Sequence, residues 1–310
     1  MESKSVSIVI PIYNEEENLK ELYQRLNKTL TKLNIDYRII MTDDGSRDNS
    51  LEILKQIQEK DPHVTVIEFN RNYGQHAAVF AALKEATGDI VITIDADLQN
   101  PPEEIPLLIE KINEGYEVVG TIRKNRKDSP FRKLASSTYN FLLSKATGIK
   151  IKDRGCMLRA YKRSIVDSIC QCQEISSFIP ALANSFAKSI ADIEVEHDER
   201  KSGTSKYNLF KLIRLNFDLM TGFSSIPIQL VSASGVVISF LGVAFGIFLF
   251  IRRLLVGPEV EGVFTLFAIL FVFIGVQVLS LGLIGEYIAR IYSEVRKRPR
   301  YVIKQTYKAN

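Results

Sequence analysis

Two aspartates one residue apart, Asp95 and Asp97, follow the apolar run Ile90–Ile94 in the stretch IVITIDADLQNPPEE. A short run of apolar and β-branched residues suits a strand buried on both faces of a parallel sheet. Carboxylates at the C-terminal end of such a strand stand where open α/β sheets bind their ligands. Their hard oxygens match Mg²⁺ or Mn²⁺, which take one or two carboxylates and complete their shell with substrate phosphates. Gln99 adds a neutral oxygen two residues further on. D-x-D alone could equally be a solvated strand-end turn. The flanks favour chemistry, because Asn100-Pro101-Pro102-Glu103-Glu104 reads as a loop entering a helix with proline and acid in its first turn.

A second group of polar residues falls at the ends of two earlier strands. Pro11, Tyr13 and Glu15 leave the first, and Asp43 and Asp44 leave the second. In a parallel sheet both loops open on the same edge as Asp95. An aromatic ring beside acceptor carboxylates can hold a base and a ribose, the carboxylate accepting sugar hydroxyl protons. Neither G-x-G-x-x-G nor G-x-x-x-x-G-K-[ST] is present, which disfavours a dinucleotide fold and a P-loop. A diphosphate would then be neutralised by the metal at Asp95 and Asp97.

The elements that must position these residues alternate. Strands are expected at Ser5–Tyr13, Tyr37–Met41, Val64–Phe69, Ile90–Ile94 and Glu117–Ile122, and helices at Asn49–Lys60, Gln75–Ala86 and Pro102–Glu114. Another helix carries Leu19, Leu22, Leu26, Leu30 and Leu33 on one face, with Asn14 and Glu17 as a capping pair at its start. Strand and helix in turn, joined by short connections, specify a doubly wound, mostly parallel α/β sheet.

The chain has 310 residues and a net charge of +4, too mild to indicate nucleic acid. Three cysteines (Cys156, Cys170, Cys172) and three histidines form no zinc framework, and the cysteines read as reduced thiols. Cys170 and Cys172 are expected to pack a helix, and His63 to lie at the surface. Met1–Lys4 is polar and resembles no signal peptide.

The last third is mostly hydrocarbon. Ile228–Ile251 and Gly262–Gly285 carry no charge, and at about 1.5 Å per residue each spans roughly 36 Å, enough to cross a bilayer core. Gly235 with Ser239, and Gly242 with Gly246, are spaced for close helix packing. Arg290, Arg296, Lys297, Arg298 and Arg300 outnumber the arginines of the short connection, placing both termini in the cytoplasm. The expected organisation is a cytoplasmic domain over 1–225, two transmembrane helices within 226–287 (about 228–251 and 262–285), and a basic cytoplasmic tail over 288–310. Interfacial helices are expected near 129–146 and 207–224, where aromatic and basic residues mix.

PIYNEEENL, TDDGSRDNS, NRNYGQHAA, DADLQNPPEEIP, GCMLRAYKR and KSGTSKY together resemble the family 2 glycosyltransferases of GT-A fold that act on polyprenyl phosphates. The resemblance runs nearly end to end and includes both apolar segments. It implies a Rossmann-like GT-A sheet, a multi-pass inner (plasma) membrane location, and a homo-oligomer such as a tetramer. It implies an inverting, Mg²⁺- or Mn²⁺-dependent transfer of a sugar from UDP to undecaprenyl phosphate. The sugar would be 4-deoxy-4-formamido-L-arabinose or a related amino sugar, for lipid A modification in the cell envelope. Transfer of glucose or mannose is the alternative within the family, and a nucleotide-binding membrane module without activity is the alternative outside it. A processive synthase is disfavoured, because the chain has no tryptophan for a Q-x-x-R-W motif.

By the resemblance, Pro11, Tyr13, Glu15 and Asp44 hold uridine, and Asp95, Asp97 and Gln99 surround the metal and diphosphate. Arg200, Ser205 and Lys206 fall in a basic loop over the diphosphate, a stretch that would otherwise read as an ordinary solvated loop. His76, at the start of a helix on the ligand edge, is a weaker candidate for a substrate contact. One departure is Cys156, where many relatives have an acid or serine after the glycine. No strong base is needed there, because a phosphate monoester with a second pKa near ~6 is already ionised at neutral pH. Cationic side chains must position it, and Arg123, Arg126, Lys127, Arg132 and Lys133 form one basic stretch, which could also be a solvated charge run. The run from Tyr301 to Ile303 is expected to add as a strand to a sheet edge, with that of a neighbouring subunit favoured, and the alternative is a basic tail with Lys304 and Lys308 on anionic lipid.

Overall fold

The computed structural model describes residues 4–123, 156–172, 178–195, 226–257 and 263–309. It divides into two compact units, Met1–Tyr207 with Arg298–Asn310, and Asn208–Lys297. The expected interfacial helices at 129–146 and 207–224 lie outside the described residues.

The first unit is built on an eight-stranded sheet in the order β7-β5-β6-β4-β1-β2-β3-β8. Its strands are β1 (Val6–Ile12), β2 (Tyr37–Asp43), β3 (Val64–Phe69), β4 (Ile90–Thr93), β5 (Val118–Arg123), β6 (Arg159–Lys162), β7 (Ile190–Val195) and β8 (Ile303–Tyr307). β1 pairs in parallel with β2 and β4, and β2 with β3. Every residue of β1 is buried, as its unbroken VSIVIPI run requires when helices cover both faces. Val6, Ile8, Ile10 and Ile12 face one core, shared with Leu19, Leu22, Leu26 and Leu30 of α1 (Leu19–Lys32), with α2 (Ser50–Lys60), and with α4 (Ile105–Asn113). Val9, Ile40 and Ile67 face the other, against α3 (Gln75–Glu85), α5 (Arg163–Gln171) and α6 (Ile179–Phe186).

Two connections differ from the expected ones. The capping pair Asn14/Glu17 does not form. α1 starts at Leu19 after Asn18, and Asn14 sits at φ 55°, its Oδ1 accepting the Arg47 N–H at 2.8 Å. Asn14 thus serves the junction of the β1 and β2 loops, and asparagine tolerates the left-handed region better than most residues. β6 also inserts antiparallel between β4 and β5, so the sheet is parallel in its centre and mixed towards that side.

The second unit contains α7 (Ile226–Val256) and α8 (Val263–Val295), both long and apolar enough to cross a membrane. At about 1.5 Å per residue each exceeds a ~30 Å hydrocarbon core. Large apolar side chains such as Phe240 and Leu255 stand exposed, at 75% and 80%, as expected of a surface that faces lipid. Gly242 meets Phe273 of α8 at ordinary van der Waals distance, whereas Gly235 and Gly246 face open space among the described residues. The spacing therefore does not bring the two helices together through a shared small-residue stripe.

The chain after α8 finds a sheet edge within its own chain, and only Ile303 of the expected run Tyr301–Ile303 lies in the strand. β8 pairs antiparallel with β3 of its own chain, with Val66 opposite Tyr307 and Phe69 opposite Ile303. Pairing within one chain satisfies the exposed β3 edge without the translational entropy lost on association. Tyr301 stacks on Phe69 with ring centroids 4.9 Å apart. Arg300 lies over the Phe80 ring at 3.9 Å and donates to the Cys172 carbonyl at 2.9 Å.

Glu68, buried on β3, accepts hydrogen bonds from Lys304 Nζ at 2.6 Å and from the Tyr307 hydroxyl at 2.8 Å. Burial alone would raise its pKa, but these two bonds together with the charges of Lys304 and Lys55 hold the carboxyl below its ordinary value. A depressed carboxylate contributes stability that is present above its unfolded pKa and lost as pH falls through the folded value. Tyr307→Phe is therefore expected to cost about 1–2 kcal/mol at neutral pH. Thermal midpoints in detergent should show the penalty shrinking as pH falls below the usual carboxylate range.

Candidate active site

In the order β3-β2-β1-β4 the sheet runs outward in both directions from β1, so the switch point lies between the C-terminal ends of β1 and β4. Open α/β sheets bind ligands in the crevice at such a point. The loops after β1, β2 and β4 border it.

Past β4, Ile94, Ala96, Leu98 and Asn100 are buried, while Asp95, Asp97 and Gln99 are partly exposed. The alternation turns the two carboxylates and the amide to the open side and anchors the segment by the residues between them. Leu98 is at φ 59°, an unfavourable region for a branched side chain. It is held there by its own burial and by the Gln99 N–H donating to Asp97 Oδ1 at 3.2 Å. Beyond the turn, Glu103 receives two hydrogen bonds from Arg25 of α1, at 3.0 and 2.7 Å. Among the described residues no three acidic, histidine or cysteine side chains cluster as a ready-made metal cage. Two partly exposed carboxylates and one amide oxygen fit a hard cation that completes its shell with phosphate oxygens.

The β1 and β2 loops are joined to each other. The Glu15 N–H donates to Ser50 Oγ at 2.9 Å, the Asn14 N–H to Ser46 Oγ at 3.0 Å, and Glu16 Oε2 accepts from Asn49 twice at 2.9 Å. Pro11 lies within β1 opposite Thr42, and Tyr13 follows β1 half-buried. Asn18 Nδ2 donates to Glu15 Oε2 at 2.7 Å.

The two aspartates at the end of β2 have different surroundings. Asp44 accepts backbone N–H groups with both oxygens, from Tyr73 at 2.6 Å and Gly74 at 2.8 Å. Burial pushes its pKa up, and these bonds pull it down in part. Asp44 therefore holds the loop ahead of α3. Asp43 is equally buried, at 2% exposure. Its Oδ2 accepts the Ser46 N–H at 3.2 Å, but its Oδ1 is buried with no hydrogen-bond partner among the described residues. Burial raises its pKa as well, against a smaller lowering from Ser46. A buried oxygen that lacks a partner is costly, and Asp43 offers one beside the switch point. The family resemblance implies a uridine contact for Asp44 alone, and the different surroundings of the two aspartates depend on directions at a strand end that composition does not reveal.

On the α3 side, Gln75 Nε2 donates to Asp95 Oδ1 at 2.6 Å. His76 packs edge-on against Phe178, with ring centroids 5.2 Å apart. Its Nδ1 is buried without a partner among the described residues, and burial pushes its pKa down to about 4, so the imidazole is neutral at physiological pH.

Cys156, expected beside the acceptor, is 1% exposed. Its sulfur lies 2.7 Å from Thr121 Oγ1 and 3.1 Å from Asn100 Oδ1. It joins β5 to the loop after β4 from beneath and does not open on the crevice. Arg159, to which the sequence reading gave no role, is 2% exposed and donates to the Cys156 carbonyl at 3.2 Å. A Cβ on Gly120 would fall 2.6 Å from Asp192 Oδ1 and 3.1 Å from Arg159 Nη1, so glycine leaves room for those side chains. A charge inside the four-residue strand RAYK was the available signal. Arg123 ends β5; Arg126, Arg200, Ser205 and Lys206 lie outside the described residues. His63, at the opposite edge of the sheet, is paired with Asp61 at 2.8 Å and stacked on Tyr37.

The family model for "Glycosyl transferase family 2" matches residues 7–170. The chain is 52% identical over 305 residues to an undecaprenyl-phosphate 4-deoxy-4-formamido-L-arabinose transferase of Klebsiella pneumoniae (strain 342), covering 97% of this chain and 93% of the relative. It is 53% identical over 303 residues to the transferase of the same name from Proteus mirabilis (strain HI4320), with the same coverage. Among solved structures, glucosyl-3-phosphoglycerate synthase from Mycobacterium tuberculosis, in complex with Mn²⁺, UDP and phosphoglyceric acid, superposes with a TM-score of 0.50 at 18% identity. That match covers 70% of this chain and 76% of the synthase, and it shows a shared fold. With the sheet, the switch-point carboxylates and near full-length identity in agreement, the chain belongs to glycosyl transferase family 2.

Proposed function

We propose that the protein transfers 4-deoxy-4-formamido-L-arabinose, or a closely related amino sugar, from UDP to undecaprenyl phosphate with inversion. The observation that carries this reading is the open face of Asp95, Asp97 and Gln99 at the switch point, on a chain that also has two membrane-length apolar helices. The relatives that match at 52–53% identity through both helices carry that name.

Asp95, Asp97 and Gln99 would hold a Mg²⁺ or Mn²⁺ ion together with the donor's diphosphate oxygens, and the ion supplies positive charge to the departing UDP. Asp43 Oδ1 accepts the imide N–H of uracil, a donor that fits its missing partner. Tyr13 and Pro11 flank the base, and Glu15 accepts from the ribose. Arg200, Ser205 and Lys206 add donors and charge over the diphosphate, as the family resemblance implies. His76, kept neutral, offers one donor and one acceptor to the sugar. The acceptor phosphate, positioned by Arg123 and Arg126, forms its oxygen–carbon bond at the anomeric carbon as the bond to UDP breaks on the opposite face. No proton has to be removed from an ionised phosphate, so no strong base is required.

β8 belongs to the same sheet as the strands that precede α7, which supports a reading in which the chain crosses the bilayer twice between them. With Arg296, Lys297, Arg298 and Arg300 following α8, the positive-inside rule puts the catalytic unit and both termini in the cytoplasm of a multi-pass inner-membrane protein. The nucleotide sugar reaches such a site from water and the lipid phosphate from the bilayer.

Cys156→Ala is expected to keep kcat within about tenfold of wild type, because the thiol packs beneath the crevice and transfers no proton. The function itself is tested by UDP release from competing donors in the presence of undecaprenyl phosphate. The formamido-pentose donor should exceed UDP-glucose in kcat/KM, and a preference for UDP-glucose would reassign the sugar.

A further inference from the structure

We infer that Gln75 is a positioning residue for Asp95, and that through it the nucleotide side of the crevice sets the geometry of the metal side. The inference rests on the proposed nucleotide-sugar site and adds a residue to it.

The connection can be followed bond by bond. Gly45, after β2, sits at φ 67°, and a Cβ there would fall 2.5 Å from the Arg71 carbonyl carbon. Only glycine allows the β2 loop to lie so close to the 70–74 segment. Asp44 then grips that segment by the N–H groups of Tyr73 and Gly74, and its carbonyl accepts from Asn72 Nδ2 at 3.2 Å. Gly74 turns the chain at φ 97° into α3, and the first residue of the helix delivers its amide to Asp95 Oδ1 at 2.6 Å.

A neutral amide is a suitable donor for this task. It fixes which way a carboxylate faces and occupies one of its oxygens, yet leaves the full negative charge for a cation. Lysine or arginine at that position would compete with the metal for the same charge. Hydrogen-bond partners that orient metal-binding groups typically contribute 10–100-fold to metal affinity.

Gln75 is exposed, so its replacement leaves the core untouched. The test measures Mn²⁺ binding by the loss of the free-ion EPR signal, on the full-length protein in detergent saturated with UDP. Wild type is compared with Gln75→Ala and with Gln75→Met, which keeps length and bulk but has no donor. Both variants should bind Mn²⁺ about 10-fold or more weakly, while metal-free uridine affinity and the thermal midpoint stay unchanged. Mn²⁺ affinity within twofold of wild type in either variant overturns the inference. So does an equal loss of uridine affinity, which would mark Gln75 as a general support of the loop. If the wild type itself binds no Mn²⁺ with UDP, the metal-site reading fails first and the inference falls with it.

Discussion

Asp97→Asn is expected to lower kcat by about 10²–10³-fold, the range seen when a group that stabilises developing charge is removed. The substitution suits the local structure. Asp97 Oδ1 accepts the Gln99 N–H, and an asparagine oxygen can do the same, so the turn that presents Asp95 and Gln99 should survive. What is lost is one negative charge facing the open side of the loop. Uridine, which carries no phosphate, should bind the variant within about threefold of wild type, since the base and ribose meet the β1 and β2 loops. Activity that persists in EDTA, or in Asp97→Asn, would remove the metal from the account.

Asp43→Asn should separate recognition from stability. The buried Oδ1 has no hydrogen-bond partner among the described residues. A carboxylate that meets the uracil imide N–H contributes a charge-assisted hydrogen bond of about 1.5–3 kcal/mol. With asparagine, one amide atom keeps the Ser46 contact and the other presents N–H against N–H. The donor's KM is therefore expected to rise about 10–100-fold with a smaller change in kcat. The same variant should be more thermally stable than wild type without ligand, because it no longer buries an unpaired charge. The pH dependence has a definite sign. Burial raises the Asp43 pKa, so the group gains stability on protonation and loses it as pH rises through the folded value. Donor affinity runs the other way, falling as the carboxyl protonates. A loss of stability with unchanged KM would assign Asp43 to the scaffold and leave the base to other residues.

Much of the sheet could be read from the chain because its strands are unbroken apolar runs between turn residues. Val6–Ile12, Val64–Phe69 and Ile90–Thr93 fall within the expected spans. The loop of the candidate site was legible for a similar reason, since DADLQ alternates polar and apolar residues and the structure leaves the polar ones partly exposed. The elements that escaped were those whose sequence does not announce a partner. β6 is four residues long and carries two charges, and β7 alternates exposed and half-buried residues along an edge. For β8 the β-prone run Tyr301–Ile303 overlaps the strand Ile303–Tyr307 only at Ile303, because the polar IKQTY gives little strand signal, and its own sheet and a neighbour's offer the same hydrogen-bonding edge. The different surroundings of Asp43 and Asp44 have a similar cause. Which of two adjacent carboxylates meets a loop N–H depends on the path of residues 70–74, which are nearly thirty positions away.

The most direct test of sugar transfer to a lipid phosphate is mass spectrometry of the lipid itself. Full-length protein in vesicles containing undecaprenyl phosphate is given Mn²⁺ and the UDP-linked formamido-pentose, with UDP-glucose and other UDP-sugars in parallel. The account predicts an undecaprenyl phosphate species heavier by one formamido-pentose residue, formed in step with an equal amount of free UDP and absent in Asp97→Asn. A protein that binds UDP but leaves the lipid unchanged with every donor would contradict it, and would make the chain a nucleotide-binding membrane module.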